Sequence, residues 1–249
     1  MSKRSLIVFA GSNKSRALVD SLKPNGCFWL DDIPTKKKYV ERLSSIDHVS
    51  TDIICVNWPY ITPDFLLEYG NMYTIHESLL PSFAGCAPVN WSIIEGSSLF
   101  GVTLFRQSKI VDAGEILFQD GVYCPGMGAT AVFKNMEACY KRCATFIQKN
   151  ILRDCQVLSG FGKRTYYPKR RPTDNIVEFG FEPDKLINLF LSTTVDYPLI
   201  FKRVETRFEI HGIRVFGEFV DYFPLGRVLP EMTELSFYNN SFVLYGIEI

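Results

Sequence analysis

The sequence predicts an α/β protein: a Rossmann-like, mostly parallel sheet with helices on both faces, followed by a small mostly-β appendage. Three observations carry the prediction. Apolar runs such as SLIVFA, TDIICV and MYTIH alternate with amphipathic stretches through the first half of the 249 residues. These runs are continuously apolar rather than alternating, as expected of strands covered on both faces. Past about residue 160 the composition shifts, and Gly, Pro and Asn turns separate short strand-like segments. The boundary is drawn at 172, giving a first domain of 1–172 and a second of 173–249.

Taken in order, SLIVFAGS reads as a buried strand that breaks at Gly11-Ser12-Asn13, and SRALVDSLK follows with helical spacing. CFWLDD is a second short strand and KKKYVERLSSI an amphipathic helix. TDIICVNWPY is a third strand, stopped by Pro59. TPDFLLEYG is a short helix with Thr62 as N-cap, Pro63 at its first position and Gly70 as its stop. MYTIH is a fourth strand, ending on His76. VNWSIIEG is a helix closed by Gly96, and GVTLFRQSKIVDAGEILFQDGVY is two strands around a turn at Asp112-Ala113-Gly114. A long helix follows, capped by Thr130, with Val132, Met136, Cys139, Tyr140, Cys143, Ile147 and Ile151 on one stripe. FGKRTYYPKRRPTDN reads as a basic, aromatic ordered loop. A short helix over DKLINLFLST and the strand-like segments RFEIHGIRVFGEFVDYF, GRVLP and NNSFVLYGIEI complete the chain.

Composition narrows the classes of function. With 27 basic and 27 acidic side chains the net charge is +0, so no global field recruits nucleic acid or an anionic membrane. MSKRSLIVFAGSN turns polar too soon for a signal peptide or a span, and no run of about 18 apolar residues occurs. The seven cysteines are scattered without a C-x-x-C pair, which argues against zinc and disulfide frameworks and fits a reducing cytoplasm. No metal site is expected. The exposed strands of a short β appendage call for covering, and a homodimer would supply it.

Ligands of open α/β sheets gather beyond the carboxyl ends of the strands. Gly11-Ser12-Asn13, Asn57-Trp58 and His76 all fall at such ends. A histidine there can carry a proton near neutral pH, and a carboxylate such as Asp112 would fix its tautomer and stabilise the imidazolium. From these residues alone a hydrogen-bonded structural histidine remains the competing reading.

The flanking blocks decide between them. IHESLLPSFAGCAPVNWSIIEG followed by GVTLFRQSKIVDAGEILFQ resembles the formyltetrahydrofolate-dependent formyltransferases. That family carries Asn-x-His-x-Ser-Leu-Leu-Pro, a Gly-Ala-Ala-Pro-like loop, Gly-Val-Thr and Asp-x-Gly-x-Ile. His76, Ser78, Leu79, Leu80, Pro81, Gly85, Ala87, Pro88, Gly101, Val102, Thr103, Asp112, Gly114 and Ile116 match. The resemblance covers about residues 1–175. It is strongest to the sugar-nucleotide N-formyltransferases, including the domain acting on UDP-4-amino-4-deoxy-L-arabinose, and YYPKRRPTDNIVEF resembles their Arg-Arg-Pro-x-Asp segment.

The resemblance implies N10-formyltetrahydrofolate as cofactor and a nucleotide-linked amino sugar as acceptor. His76 and Asp112 would be catalytic, with Thr74 where the family has its asparagine. Trp58, Tyr60, Ile61, Leu79, Val102, Val111 and Gly114 would line the folate pocket. Ser12, Asn13, Ser78, Arg164, Tyr167, Arg170 and Arg171 would serve the acceptor, the arginines through the fork geometry that suits phosphate oxygens. Thr74 is the one departure. An asparagine amide donates to the oxyanion on the formyl carbon, and losing such a donor costs about 2.7–4 kcal/mol in a comparable site. Thr74 either replaces it, directly or through water, or leaves a slow enzyme or a retired one. Three other readings stay open: a methionyl-tRNA formyltransferase, a non-catalytic folate binder and a formyltetrahydrofolate hydrolase. Neutral charge and a short tail argue against the first.

Overall fold

Six strands build the first sheet: β1 (Ser5–Ala10), β2 (Gly26–Trp29), β3 (Thr51–Val56), β4 (Met72–His76), β6 (Leu99–Arg106) and β7 (Ile116–Tyr123). Their order is β2-β1-β3-β4-β6-β7, parallel from β2 to β4 and antiparallel beyond. β3 is buried at every position, as its unbroken apolar run requires. This computed structural model describes residues 4–11, 15–178, 183–194, 198–203, 206–215, 220–222, 233–237 and 242–249. Two compact units partition the chain: residues 1–88, 99–124 and 133–168 in one, and 89–98, 125–132 and 169–249 in the other. The second unit thus takes in two segments that lie before residue 172.

In the first unit the two faces of the sheet differ. On one face, Phe9, Ile53, Cys55 and Met72 pack with Tyr39 and Leu43 of α2 (Lys36–Ser44) and Leu66 of α3 (Asp64–Leu67). α1 (Arg16–Leu22) and α5 (Ala129–Lys149) are tied where Gln148 Nε2 donates to the Ser21 carbonyl at 2.7 Å. Of the predicted stripe, Met136, Cys139, Cys143 and Ile147 are buried, while Ile151 lies beyond the helix and is 44% exposed.

Two predicted caps are corrected. Thr62 does not cap α3, because Pro63 holds that position and the Thr62 hydroxyl meets Tyr39 Oη at 3.0 Å inside the core. Thr130 lies inside α5, which starts one residue earlier.

The second unit has α4 (Pro88–Ile94), α6 (Pro183–Leu191) and a sheet of order β13-β14-β11-β10-β9. These strands are β9 (Ile176–Val177), β10 (Leu199–Arg203), β11 (Thr206–Val215), β13 (Thr233–Phe237) and β14 (Phe242–Glu248), and β12 (Val220–Tyr222) joins β11. Leu186, Leu189 and Phe190 of α6 pack on Leu199, Phe201, Phe208 and Leu244. The predicted GRVLP segment, 226–230, lies outside the described residues.

Candidate active site

β4 determines where the chemistry sits. Successive strand residues point to opposite faces, so Met72, Thr74 and His76 share one. Register places Thr74 beside Cys55 of β3 and Phe105 of β6, and His76 beside Thr103. His76 is the last residue of the strand and is 8% exposed.

The loop after His76 is built by hydrogen bonds to β6 and β7. Thr103, fully buried, donates from Oγ1 to the Ser78 carbonyl at 2.6 Å and accepts from the Leu80 N–H at 3.1 Å. Gln119 Nε2 donates to the Leu80 carbonyl at 2.8 Å and to Thr103 Oγ1 at 2.9 Å. Ser78 Oγ donates to the Ser82 carbonyl at 2.8 Å, and the Leu80–Pro81 peptide is cis. The loop then turns back through Phe83, whose φ of 56° lies in the left-handed region, and its carbonyl accepts from His76 Nε2 at 3.0 Å. β5 (Ala84–Gly85) pairs with β8 (Tyr166–Tyr167).

Asp112 arrives from the β6–β7 turn. Its φ of 50° is a conformation that aspartate tolerates better than most side chains. Its Oδ2 accepts from the Gly85 N–H at 2.8 Å and lies 3.8 Å from His76 Nδ1. Two glycines make that approach possible. A Cβ on Gly114 would stand 1.7 Å from the Arg106 carbonyl, and one on Gly85, at φ 103°, would stand 2.0 Å from that of Tyr167. The Arg164 guanidinium closes on the turn, donating to the Val111 and Asp112 carbonyls at 2.9 Å each.

The hydrogen bonding fixes the roles of the ring nitrogens. A carbonyl oxygen only accepts, so Nε2 of His76 carries the proton. In the neutral ring Nδ1 therefore keeps the lone pair. A proton taken up there lies against the Asp112 carboxylate, in a site where both side chains are largely withdrawn from water. The arrangement can accept a proton from a substrate and hold the resulting charge.

Thr74, two residues before His76, is half-buried. Its Oγ1 accepts from Gln107 Nε2 at 2.9 Å, a residue that sequence reading missed. Asn71 is no substitute for an asparagine at position 74. It is fully buried and donates to the Thr51 and His48 carbonyls at 2.7 and 3.2 Å.

The residues predicted to line a cofactor pocket divide in two. Trp58 and Tyr60 join Phe9, Phe28 and Tyr39 in an aromatic cluster with centroid separations of 5.2–6.0 Å. Trp58 Nε1 is buried and, among the described residues, without an acceptor. Ile61 is 62% exposed and Val111 37% exposed, and Lys109 Nζ approaches Asp64 Oδ2 at 3.8 Å, bringing their two loops alongside. An unmet indole donor, flat rings and apolar loop edges suit a planar nitrogen heterocycle. Val102 is corrected: at 0% exposure it supports the site from within the sheet and offers no surface. Leu79 packs where a Cβ on Gly101 would stand, 2.6 Å from its Cδ2, and shapes the same support.

The acceptor-side candidates fare unevenly. Ser78 is corrected to a loop-shaping residue, 3% exposed and committed to Ser82. Arg164 positions the Asp112 turn rather than pointing its fork outward. Tyr167 stacks on Phe83 at 5.5 Å, so one ring face is covered, while Tyr166 is 58% exposed. Arg170 is corrected too: it belongs to the second unit, is 2% exposed, and donates to Asn175 Oδ1 and the Ser192 carbonyl. Arg171, in the same unit, is exposed and within 3.7 Å of Asp174. Ser12 and Asn13 lie outside the described residues. Sequence reading also missed Glu77, which accepts from Tyr140 Oη at 2.5 Å and Asn57 Nδ2 at 3.2 Å. Burial and the Glu77 carboxylate together push the Tyr140 hydroxyl well above its ordinary range.

Comparison with known proteins bears on this geometry. Residues 34–130 match the family model described as Formyl transferase. The bifunctional polymyxin resistance protein ArnA of Wigglesworthia glossinidia brevipalpis is 29% identical over 174 residues, covering 65% of this chain and 26% of that protein. The chain therefore spans about a quarter of the length of that relative. HypX from Aquifex aeolicus, solved in complex with tetrahydrofolic acid, aligns with 100% of this chain and 46% of its own at TM-score 0.70 and 15% identity. An N-formyltransferase from Helicobacter canadensis, solved with folinic acid and dTDP-3-aminofucose, aligns over 100% of both chains at TM-score 0.67 and 14% identity. At these identities the structural matches establish the fold.

Proposed function

We propose that this chain, which carries a formyl transferase domain, moves a formyl group from N10-formyltetrahydrofolate to the primary amine of an amino-deoxy sugar on a nucleoside diphosphate. The observation that carries the reading is the 3.8 Å approach of His76 Nδ1 to Asp112, in a unit whose aromatic cluster also holds an unmet indole donor. The likeness to ArnA, and a fold shared with an enzyme solved with folinic acid and a dTDP-amino sugar, support this choice of donor and acceptor.

The unmet indole donor is the feature that would suit the cofactor. Trp58 Nε1 would donate to a ring acceptor of the pterin, with Tyr60, Ile61 and Val111 against its faces and edges. When bound, the folate supplies the formyl carbon: the amine lone pair forms the new C–N bond, the bond to N10 breaks, and one amine proton replaces the formyl group on N10. His76 accepts the amine proton at Nδ1, since Nε2 is held by Phe83. Asp112 compensates the imidazolium and keeps the ring in place. Thr74 offers its hydroxyl to the developing oxyanion.

The test is to mix the protein with N10-formyltetrahydrofolate and a panel of dTDP- and UDP-linked amino sugars and to follow tetrahydrofolate release. Release dependent on one acceptor supports the proposal. Release with formate and no acceptor would make the protein a hydrolase. Folate binding without turnover would make it a binder.

A further inference from the structure

We propose that Gln107 is a positioning residue that makes Thr74 the oxyanion donor of this site, so that a hydroxyl held by a carboxamide replaces an amide acting alone. The inference rests on the formyl-transfer reading above and deepens it.

The geometry is specific. Gln107 follows β6 directly and is anchored by its own N–H, which donates to the Met72 carbonyl at 2.8 Å. From there the side chain returns to β4, with Nε2 2.9 Å from Thr74 Oγ1 and 3.3 Å from the Tyr73 carbonyl. An amide nitrogen only donates, so Thr74 Oγ1 is the acceptor. A hydroxyl accepting through a lone pair has its own proton free for a second partner. Accepting also polarises the O–H bond, which strengthens it as a donor. Thr74 is half-buried and shares its sheet face with His76, about 6.6 Å further along the strand at the usual rise per residue.

A lone threonine would be a poor replacement, because its hydroxyl can rotate toward a backbone carbonyl. The Gln107 contact removes that freedom. β-branching restricts χ1, and the amide dictates which side of the oxygen is occupied. Cys55, the register partner of Thr74, also meets the Gln107 side chain, and burial pushes its thiol up to about 11 and keeps it a neutral neighbour.

The experiment combines a double-mutant cycle with a measurement on the free protein. Thr74→Val should lower kcat about 10²-fold and Gln107→Met about 10-fold, each with KM for N10-formyltetrahydrofolate within about threefold. Gln107→Glu keeps the size of the side chain, but its carboxylate can only accept and would capture the Thr74 proton. Its loss should exceed that of Gln107→Met. In a Thr74→Asn background, where the amide donates unaided, Gln107→Met should have no effect on kcat. In the free protein, the side-chain amide 15N–1H resonances of Gln107 should shift on Thr74→Val. An active wild type in which Gln107→Met and Gln107→Glu leave kcat unchanged, or in which the Gln107 amide ignores Thr74→Val, would overturn the inference and leave the formyl-transfer reading standing. A wild type that neither turns over nor binds folate, followed by Trp58 fluorescence, would overturn both.

Discussion

The first unit holds two buried histidines, and their surroundings are opposites. His48 is 6% exposed, with Nδ1 3.2 Å from Asn71 Oδ1, Nε2 2.9 Å from the Leu43 carbonyl and its ring stacked 4.5 Å from Tyr69. Both ring nitrogens lie within hydrogen-bond distance of structural acceptors, Tyr69 covers one face, and no charged side chain faces either nitrogen at ion-pair range among the described residues. His76 is 8% exposed, yet among the described residues Nε2 alone has a hydrogen-bond partner at normal length. Nδ1 faces a carboxylate at 3.8 Å, inside ion-pair range and outside hydrogen-bond range. Burial therefore does not separate a structural histidine from a functional one. Unused hydrogen-bonding capacity beside a fixed charge does.

The sharpest way to break this comparison is to remove each ring in turn. His76→Ala should lower turnover per folded molecule by about 10²–10⁴-fold, measured as kcat alongside thermal unfolding. A His76→Ala variant at near-normal rate would take that residue out of the mechanism. Asp112→Asn should cost about 10²-fold. The asparagine still accepts from Gly85 and tolerates the positive φ, but it cannot compensate a proton on Nδ1. If Asp112→Asn turned over like the wild type, the carboxylate would be scaffolding for the loop. Thr103→Val tests the support beneath the site. It leaves the Leu80 N–H and Gln119 Nε2 short of a buried acceptor, so it should destabilise by about 1–3 kcal/mol in urea unfolding and lower kcat several-fold through misplacement of the loop.

Much of this arrangement was legible from residues near one another in the sequence. The strand ending on His76 and the helix stop at Gly96, whose φ is 74°, follow from local apolar runs and turn residues, while the third strand, read as far as Pro59, ends at Val56. The sheet could be read because its strands are apolar on both faces. What local sequence hides is who meets whom. Arg164 looks like a phosphate ligand until its partners, the carbonyls 52 and 53 residues earlier, are known. Arg170 sits in a basic run yet is buried, and Thr62 has the look of a cap yet bonds Tyr39. Gln107 carried one faint signal: it is the first neutral polar side chain after a buried strand paired with β4. Ser12 and Asn13 keep only their sequence argument.

The smallest effect on turnover belongs to His48. Replacing it with alanine removes the ring N–H from between two buried acceptors, Asn71 Oδ1 and the Leu43 carbonyl, and uncovers one face of Tyr69. Stability should fall by about 1–3 kcal/mol, read in urea unfolding, because buried polar groups lose their partners. The kcat per folded molecule should stay within about twofold, since its hydrogen bonds run to Leu43, Asn71 and, through the backbone, Arg4 and Arg153, none of which has a hydrogen bond to the His76 loop among the described residues. Together, the alanine variants of positions 48 and 76 separate the two roles, since only the variant at 76 should lose rate per folded molecule. A His48→Ala variant that folds normally but loses rate would mean that satisfied hydrogen bonding does not mark a histidine as structural. The reasoning that selects His76 would then have to rest on Asp112 alone.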